Sequence, residues 1–351
     1  MAVRLRKCRG ENYPGRMRIR PAVALLVTAL ALTCAAYSWS ADQPSAAGGR
    51  QAADSPSITP LTPAPAAASS RMPLASPLSL VAAIPGRASS AADCRIPPVI
   101  AHRGEGGSPG DLPENTSWSE IDAARHGADI LNLDVRWTAD GIPVALHDPT
   151  VNRTTSGTGP ITALTAAQYT ALTSRDNSGR IRAGLHPQTL AQVLSGVRGT
   201  KLPIVIQIEA DPLDGTDPVP AQTQLARFAR VIQTSGVGPR VVVAAWTSAD
   251  LLAFHVAAPS IPTAYLQDAG NPTAVSVLST GTRILYIQYT AITAAKVADW
   301  HEAGLAVWAW TPPSSAEWTT LSRDHVDAIA TNWVPSYAHW ARNACSSLHG
   351  S

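Results

Sequence analysis

Short apolar runs recur along the chain from residue 99 onward. They are Val99-Ile100-Ala101, Ile130-Leu131, Val144-Ala145-Leu146, Ile204-Val205-Ile206, Val241-Val242-Val243, Ile284-Leu285-Tyr286, Ala306-Val307-Trp308 and Ala328-Ile329-Ala330. Helical stretches lie between them, and strands alternating with helices predict a parallel α/β sheet. Periodicity alone fits either an open doubly wound sheet or a closed barrel. Residues 149–185, after the third run, break the rhythm with Gly157-Thr158-Gly159-Pro160 and a short helical piece over 163–172, so a small insertion is expected there. Ser117 with Glu120 three residues on predicts a capping box for the first helix, which leaves Glu114 and Asn115 in the loop before it.

The first 40 residues follow another pattern. Seven basic residues (Arg4, Arg6, Lys7, Arg9, Arg16, Arg18, Arg20) precede an uncharged stretch over 21–39, ending in small residues around Ser38-Trp39-Ser40-Ala41. This is the arrangement of an export signal; left uncleaved, a run of nearly 20 residues would serve as a membrane anchor. Either way the bulk of the chain is expected outside the cytoplasm. Residues 41–93 are mostly Ala, Pro and Ser, too poor in branched and aromatic residues to offset chain entropy, and read as a linker.

From Cys94 onward roughly 258 residues remain, the usual size of an eight-stranded α/β barrel and enough for one catalytic domain. Charged residues make up 15% of the chain and the formal net charge is +2, so no large field favours nucleic acid. Cys8 and Cys34 fall in the export segment, whereas Cys94 and Cys345 stand at the two ends of the domain. In an oxidising compartment these two are expected to pair, the alternative being two free thiols. Closing so long a loop would contribute about 4–5 kcal/mol in the chain-entropy model.

Polar groups at the ends of apolar runs carry the chemistry. His102-Arg103 follows Pro98-Val99-Ile100-Ala101, His147-Asp148 follows Ile142-Pro143-Val144-Ala145-Leu146, and Asp134 ends a run between them. A packed strand has no use for a histidine followed at once by a charge, since burying either unpartnered costs about 1–3 kcal/mol. Three strand ends delivering such groups describe a catalytic mouth.

The ordered set His102-Arg103-Gly104, Pro113-Glu114-Asn115-Thr116, Asn132-Leu133-Asp134, Asp140-Gly141, His147-Asp148, Arg153-Thr154-Thr155, Gly157-Thr158-Gly159, His186-Pro187-Gln188-Thr189-Leu190, Ile208-Glu209 and Val307-Trp308-Ala309-Trp310-Thr311 resembles the glycerophosphodiester phosphodiesterases. The resemblance covers about residues 96–340. It implies a TIM (β/α)8 barrel with a small insertion after the third strand, over 94–351. It also implies a metal-dependent phosphodiesterase acting on a small-molecule glycerophosphodiester; the N-terminal pattern and the low net charge add the expectation of an exported enzyme with no nucleic acid as partner and any membrane attachment through the N-terminal segment. In that setting His102 and His147 are the expected acid and base. Arg103 is expected to hold the phosphate through its fork of donors or to pair with a mouth carboxylate such as Glu114. Asn132, Asp134 and Glu209 are the expected oxygen ligands of a divalent cation, Ca or Mg. Trp308 and Trp310 share one strand face by their spacing, with Trp308 expected in the core and Trp310 expected to contact substrate.

The chain departs from the family pattern at three places. Asn132 stands where the family has a glutamate, Asp211 where it has a lysine, and Asn332 where it has an aspartate. The first change removes one negative charge from the cation site, and Asp211 replaces it if it faces inward. Two other readings follow: a barrel that binds phosphate esters without turnover, and a phospholipase acting on intact lipid.

Overall fold

The computed structural model describes residues 87–88, 95–104, 112–209, 219–268 and 270–348. The export segment over 1–40, the linker over 41–93, the Cys94–Cys345 pairing and Asp211 lie outside what is described. Strands β1 (Arg87–Ala88) and β2 (Arg95–Ile96) form a short antiparallel pair. β3 (Val99–Ala101) and β4 (Ile130–Trp137) open a parallel sheet, and β5 (Pro143–Ala145) folds back antiparallel on the end of β4. The sheet continues through β6 (Ile204–Ile208), β7 (Val241–Ala245), β8 (Thr263–Gln267), β9 (Ile284–Gln288), β10 (Ala306–Trp310) and β11 (Ala328–Thr331). β11 pairs with β3, and β3 with β4, which closes eight parallel strands into a barrel. Helices α1 (Ser117–Arg125), α2 (Ala166–Ala171), α3 (Leu190–Gly196), α4 (Ala221–Thr234), α5 (Ser248–Ala257), α6 (Ala274–Leu278), α7 (Ala294–Glu302), α8 (Ser315–Arg323) and α9 (Val334–Leu348) follow in chain order.

Side-chain alternation divides the apolar residues into two cores. Ile100, Ile130, Val205, Val242, Ala264, Ile284, Ala306 and Ala328 point into the barrel, and their neighbours Ala101, Leu131, Ile206 and Val243 pack outward against the helices. Inside, Tyr286 and Trp308 meet edge to face at 5.8 Å. The small Ala244, Ala264 and Ala330 leave room for those two rings, so the interior is packed rather than open.

Three expectations about individual elements need correction. The third apolar run lies outside the barrel, in β5, and the missing barrel strand is β8. Its Thr-Ala-Tyr-Leu-Gln pattern alternates Ala264 and Leu266 inward with half-buried Tyr265 outward, so it shows no apolar run. The insertion does follow the third run, around a small core of Val144, Leu146, Val151, Ile161 and Tyr169. Finally, α1 is capped by Thr116 with Ser119, not by Ser117 with Glu120. Glu120 sits one turn along, fully buried.

Candidate active site

A two-residue step up each strand from the barrel core reaches the polar layer at the C-terminal end. Ile100 leads to His102, Ile130 to Asn132 and Asp134, and Val205 to Gln207 and Glu209. Ala244 leads to Trp246, Trp308 to Trp310, and Ala330 to Asn332. His147 comes from the turn after β5, where Arg136 Nε donates to its backbone oxygen at 2.5 Å.

Asp134 is fully buried at the centre of this layer. Asn115 donates to its Oδ2 at 3.0 Å and accepts from its backbone N–H at 2.9 Å, and Arg103 Nε lies 2.8 Å from the same Oδ2. Arg103 (φ 59°) and Asn115 (φ 56°) both hold left-handed backbone conformations, which non-glycine residues adopt at some cost. Gly104 follows at φ 79°, and a Cβ there would lie 2.6 Å from Ser119 Oγ. Arg103 is thus already ion-paired at the mouth, more closely to Asp134 than to Glu114, whose Oε1 is 3.6 Å away.

Both histidines are held at Nδ1. His102 Nδ1 is 2.6 Å from Asn332 Oδ1, and His147 Nδ1 is 2.8 Å from Asp148 Oδ1. His147 Nε2 faces Glu209 Oε2 at 3.8 Å, and that oxygen also accepts from Trp246 Nε1 at 3.2 Å. Burial, reinforced by the Arg103 charge, drives the His102 imidazole down to about 4. Burial and the neighbouring Asp134 charge push Glu209 up to about 7. Burial opposes ionisation of Asp134 as well, yet Arg103, both histidines and the Asn115 amide together hold it below the usual carboxylate range. One pair of buried carboxylates therefore has divergent proton affinities, a common mark of a reactive site.

Asn132 Oδ1 and Asp134 Oδ1 are buried acceptors without a hydrogen-bond partner among the described residues. Asn132 spends its amide on Gln207 Oε1 at 2.7 Å, which leaves its carbonyl oxygen free. Orphaned oxygens beside a carboxylate that resists ionisation fit a hard divalent cation. With Asn132 neutral, the set offers the two carboxylates Asp134 and Glu209, and no group of three His, Cys, Asp or Glu side chains that could hold a metal occurs among the described residues.

The sequence-predicted residues His102, Arg103, Glu114, Asp134, His147, Glu209 and Trp310 do come together; Trp310 stands half-buried at the rim, 5.8 Å edge to face from Trp246. Sequence reading assigned no role to Asn115, Asp148, Arg153, Trp246 or Asn332. Four of these stand within or beside the motif segments or at a departure from the family pattern, and the signal for Trp246 is its position two residues beyond Ala244, just past an apolar run. A cavity of about 700 Å³ between α8 and α9, lined by Trp318, Trp333 and Trp340 among others, includes none of these catalytic candidates.

Comparison with known proteins agrees with this geometry. Glycerophosphodiester phosphodiesterase 1 of Bos taurus is 40% identical over 122 residues, 34% of this chain and 36% of that protein. The Homo sapiens protein of the same name is 50% identical over 79 residues, 22% of this chain and 23% of that protein. The chain thus matches about a third or less of the length of these relatives. In fold, an Oleispira antarctica phosphodiesterase in complex with the product sn-glycerol-3-phosphate superposes with a TM-score of 0.62 at 22% identity, covering 71% of this chain and 97% of that one. A glycerophosphodiester phosphodiesterase from Agrobacterium tumefaciens gives 0.57 at 20% identity, covering 69% and 99%. Residues 102–335 match the Glycerophosphoryl diester phosphodiesterase family, and with that stretch covering about two thirds of the chain, all barrel strands after β3 and every catalytic candidate described, the chain belongs to this family.

Proposed function

We propose that the protein is an exported, divalent-cation-assisted phosphodiesterase that hydrolyses glycerophosphodiesters to glycerol phosphate and an alcohol. The observation that carries this reading is the pair of histidines, each held at Nδ1, flanking the Asp134 and Glu209 carboxylates beside Arg103. A non-catalytic binder has no need of two oriented imidazoles. The product complex of the Oleispira antarctica phosphodiesterase supports the substrate class. Export rests on the basic start and apolar run of residues 1–40. Among the described residues no helix is long and apolar enough to cross a membrane.

An Asn332 oxygen can only accept, so His102 carries its proton on Nδ1 and offers the lone pair of Nε2. Burial keeps it neutral at pH 7, so the Nε2 lone pair is available to take a proton. A substrate glycerol hydroxyl gives its proton to that nitrogen and attacks phosphorus. The bond from phosphorus to the leaving alcohol breaks as His147 delivers a proton to the departing oxygen. Water then opens the cyclic phosphodiester with the two histidines in exchanged roles. Arg103 stands where it can meet the non-bridging oxygens with its fork. Asp134, Glu209 and the Asn132 oxygen would hold the cation, Ca or Mg, which supplies Lewis-acid stabilisation of developing negative charge.

The test is alcohol release from glycerophosphocholine by the purified protein, with chelator, calcium or magnesium, beside His102→Ala and His147→Ala. Turnover that needs a cation and is lost in both variants is expected. No turnover with any cation, together with binding of glycerol phosphate, would favour the binder motivated by Asn132. Release from intact phospholipid vesicles but not from glycerophosphocholine would favour the phospholipase. N-terminal sequencing of protein recovered outside the cell tests export.

A further inference from the structure

One side chain outside the expected site touches both halves of it. Arg153, in the insertion after β5, directs Nη1 and Nη2 at Glu114 Oε2 and Oε1 (2.7 and 2.8 Å) and Nε and Nη2 at Asp148 Oδ2 and Oδ1 (2.7 and 2.9 Å). Asp148 Oδ1 also meets His147 Nδ1 at 2.8 Å, and Glu114 Oε1 lies 3.6 Å from Arg103, which pairs with Asp134. A chain of ionic links thus runs from His147 through Asp148, Arg153, Glu114 and Arg103 to Asp134. We propose that Arg153 is a positioning residue that fixes the ring of His147 and the guanidinium of Arg103 together, so that the insertion sets the geometry of the reaction. This rests on the phosphodiesterase reading for its kinetic consequences, but not for its structural one.

Three features separate this role from ordinary surface pairing. Both contacts are two-pronged, a geometry only a planar fork provides, and a lysine has one ammonium for two carboxylates. The Glu114 side chain is 4% exposed, so its charge is shared between Arg153, bonded at 2.7 Å, and the longer ion pair with Arg103 at 3.6 Å. The Arg153 side chain itself is 47% exposed, which limits its contribution to overall stability and makes substitution tolerable to the fold.

The experiment compares the full chain with Arg153→Gln and Arg153→Lys at one fixed pH. The first readout is the 15N spectrum of the histidine ring nitrogens, which reports where the His147 proton resides and needs no turnover. In the wild type an Nδ1–H hydrogen-bonded to Asp148 is expected, with Nε2 left to exchange the reacting proton; in Arg153→Gln that Nδ1 signature should weaken, with Arg153→Lys between the two. The second readout is kinetic: kcat on glycerophosphocholine should fall about 10- to 100-fold in Arg153→Gln, as for other residues that orient a catalytic group, with KM changed far less. Lysine should restore part of the loss. A folded Arg153→Gln protein with the wild-type ring spectrum overturns the proposal, as does an unchanged kcat in an active enzyme. If the wild type itself has no turnover, the phosphodiesterase reading fails, and the ring spectrum still decides the role of Arg153. Should the glutamine variant not fold, the same criteria apply to the lysine variant.

Discussion

Asn332 Oδ1 and His102 Nδ1 lie 2.6 Å apart across 230 positions of sequence, because β11 and β3 pair side by side at the barrel seam. The contact sets the tautomer of the histidine without giving it a counter-charge. Replacing the amide by a carboxylate, Asn332→Asp, supplies that charge and raises His102 from its value of about 4. Activity that requires neutral His102 falls as pH drops through this value. The acid limb of kcat/KM should therefore move up by about one pH unit or more in the variant, and a pH–rate profile with an unmoved limb would contradict the assignment.

His102 and Glu209 pull the pH dependence of stability in opposite directions. His102, lowered from 6.5 to about 4, contributes stability that is present above pH 6.5 and lost as pH falls through about 4. Glu209, raised from 4.5 to about 7, contributes stability that is present below pH 4.5 and lost as pH rises through about 7. The two largely cancel in the metal-free protein. Glu209→Gln should therefore be more stable than the wild type at pH 8, by at most about 3 kcal/mol, and should lose stability steeply between pH 6.5 and 4. Urea unfolding in chelator at pH 4, 6 and 8 measures both effects. A variant less stable than wild type at pH 8 would show that ionised Glu209 is not strained.

The orphaned Asn132 oxygen sits where a carboxylate would bring one more charge to the cation site. Asn132→Asp should tighten calcium binding by about tenfold in calorimetric titration, since affinity in oxygen sites follows ligand charge. Equal affinity in the two proteins would remove Asn132 from the ligand set.

Gly104 has no room for a side chain, since its φ is 79° and an added Cβ would press on Ser119, the residue that completes the cap of α1. Gly104→Ala should cost about 2–4 kcal/mol from backbone strain and overpacking together. The drop in Tm is the measurement; a drop no larger than that of an exposed Gly199→Ala control, where the added Cβ meets nothing within 4 Å, would refute the argument.

Much of the barrel was legible because buried parallel strands are written as apolar runs: seven of the eight barrel strands carry one, and β8 does not. β5 carries one too, because the insertion covers it with Val151, Ile161 and Tyr169, and an apolar run reports burial without reporting by what. The site was legible where a polar group followed an apolar run, as at His102, Asp134 and Glu209, although Asp134 lies within β4 rather than at its end. It was not legible at Arg153 or Asn332, whose meaning lies in partners 39 and 230 positions away. The helix cap was misplaced by one residue, since Thr116, Ser117 and Ser119 all have the chemistry for it and only backbone direction distinguishes them.

The seam between β11 and β3 has a consequence for how the molecule is made. The residues of β3 are made early, but its ladder partner β11, the Asn332 contact to His102 and the bond from Tyr337 Oη to the Pro97 oxygen at 2.7 Å all come from much later in the chain. Such long-range pairing is the slow part of folding. A chain whose last strand has not docked therefore holds both histidines, Asp134 and Glu209, yet His102 lacks its ladder neighbour and the acceptor that fixes its ring, so closing the seam is what joins these groups into one site.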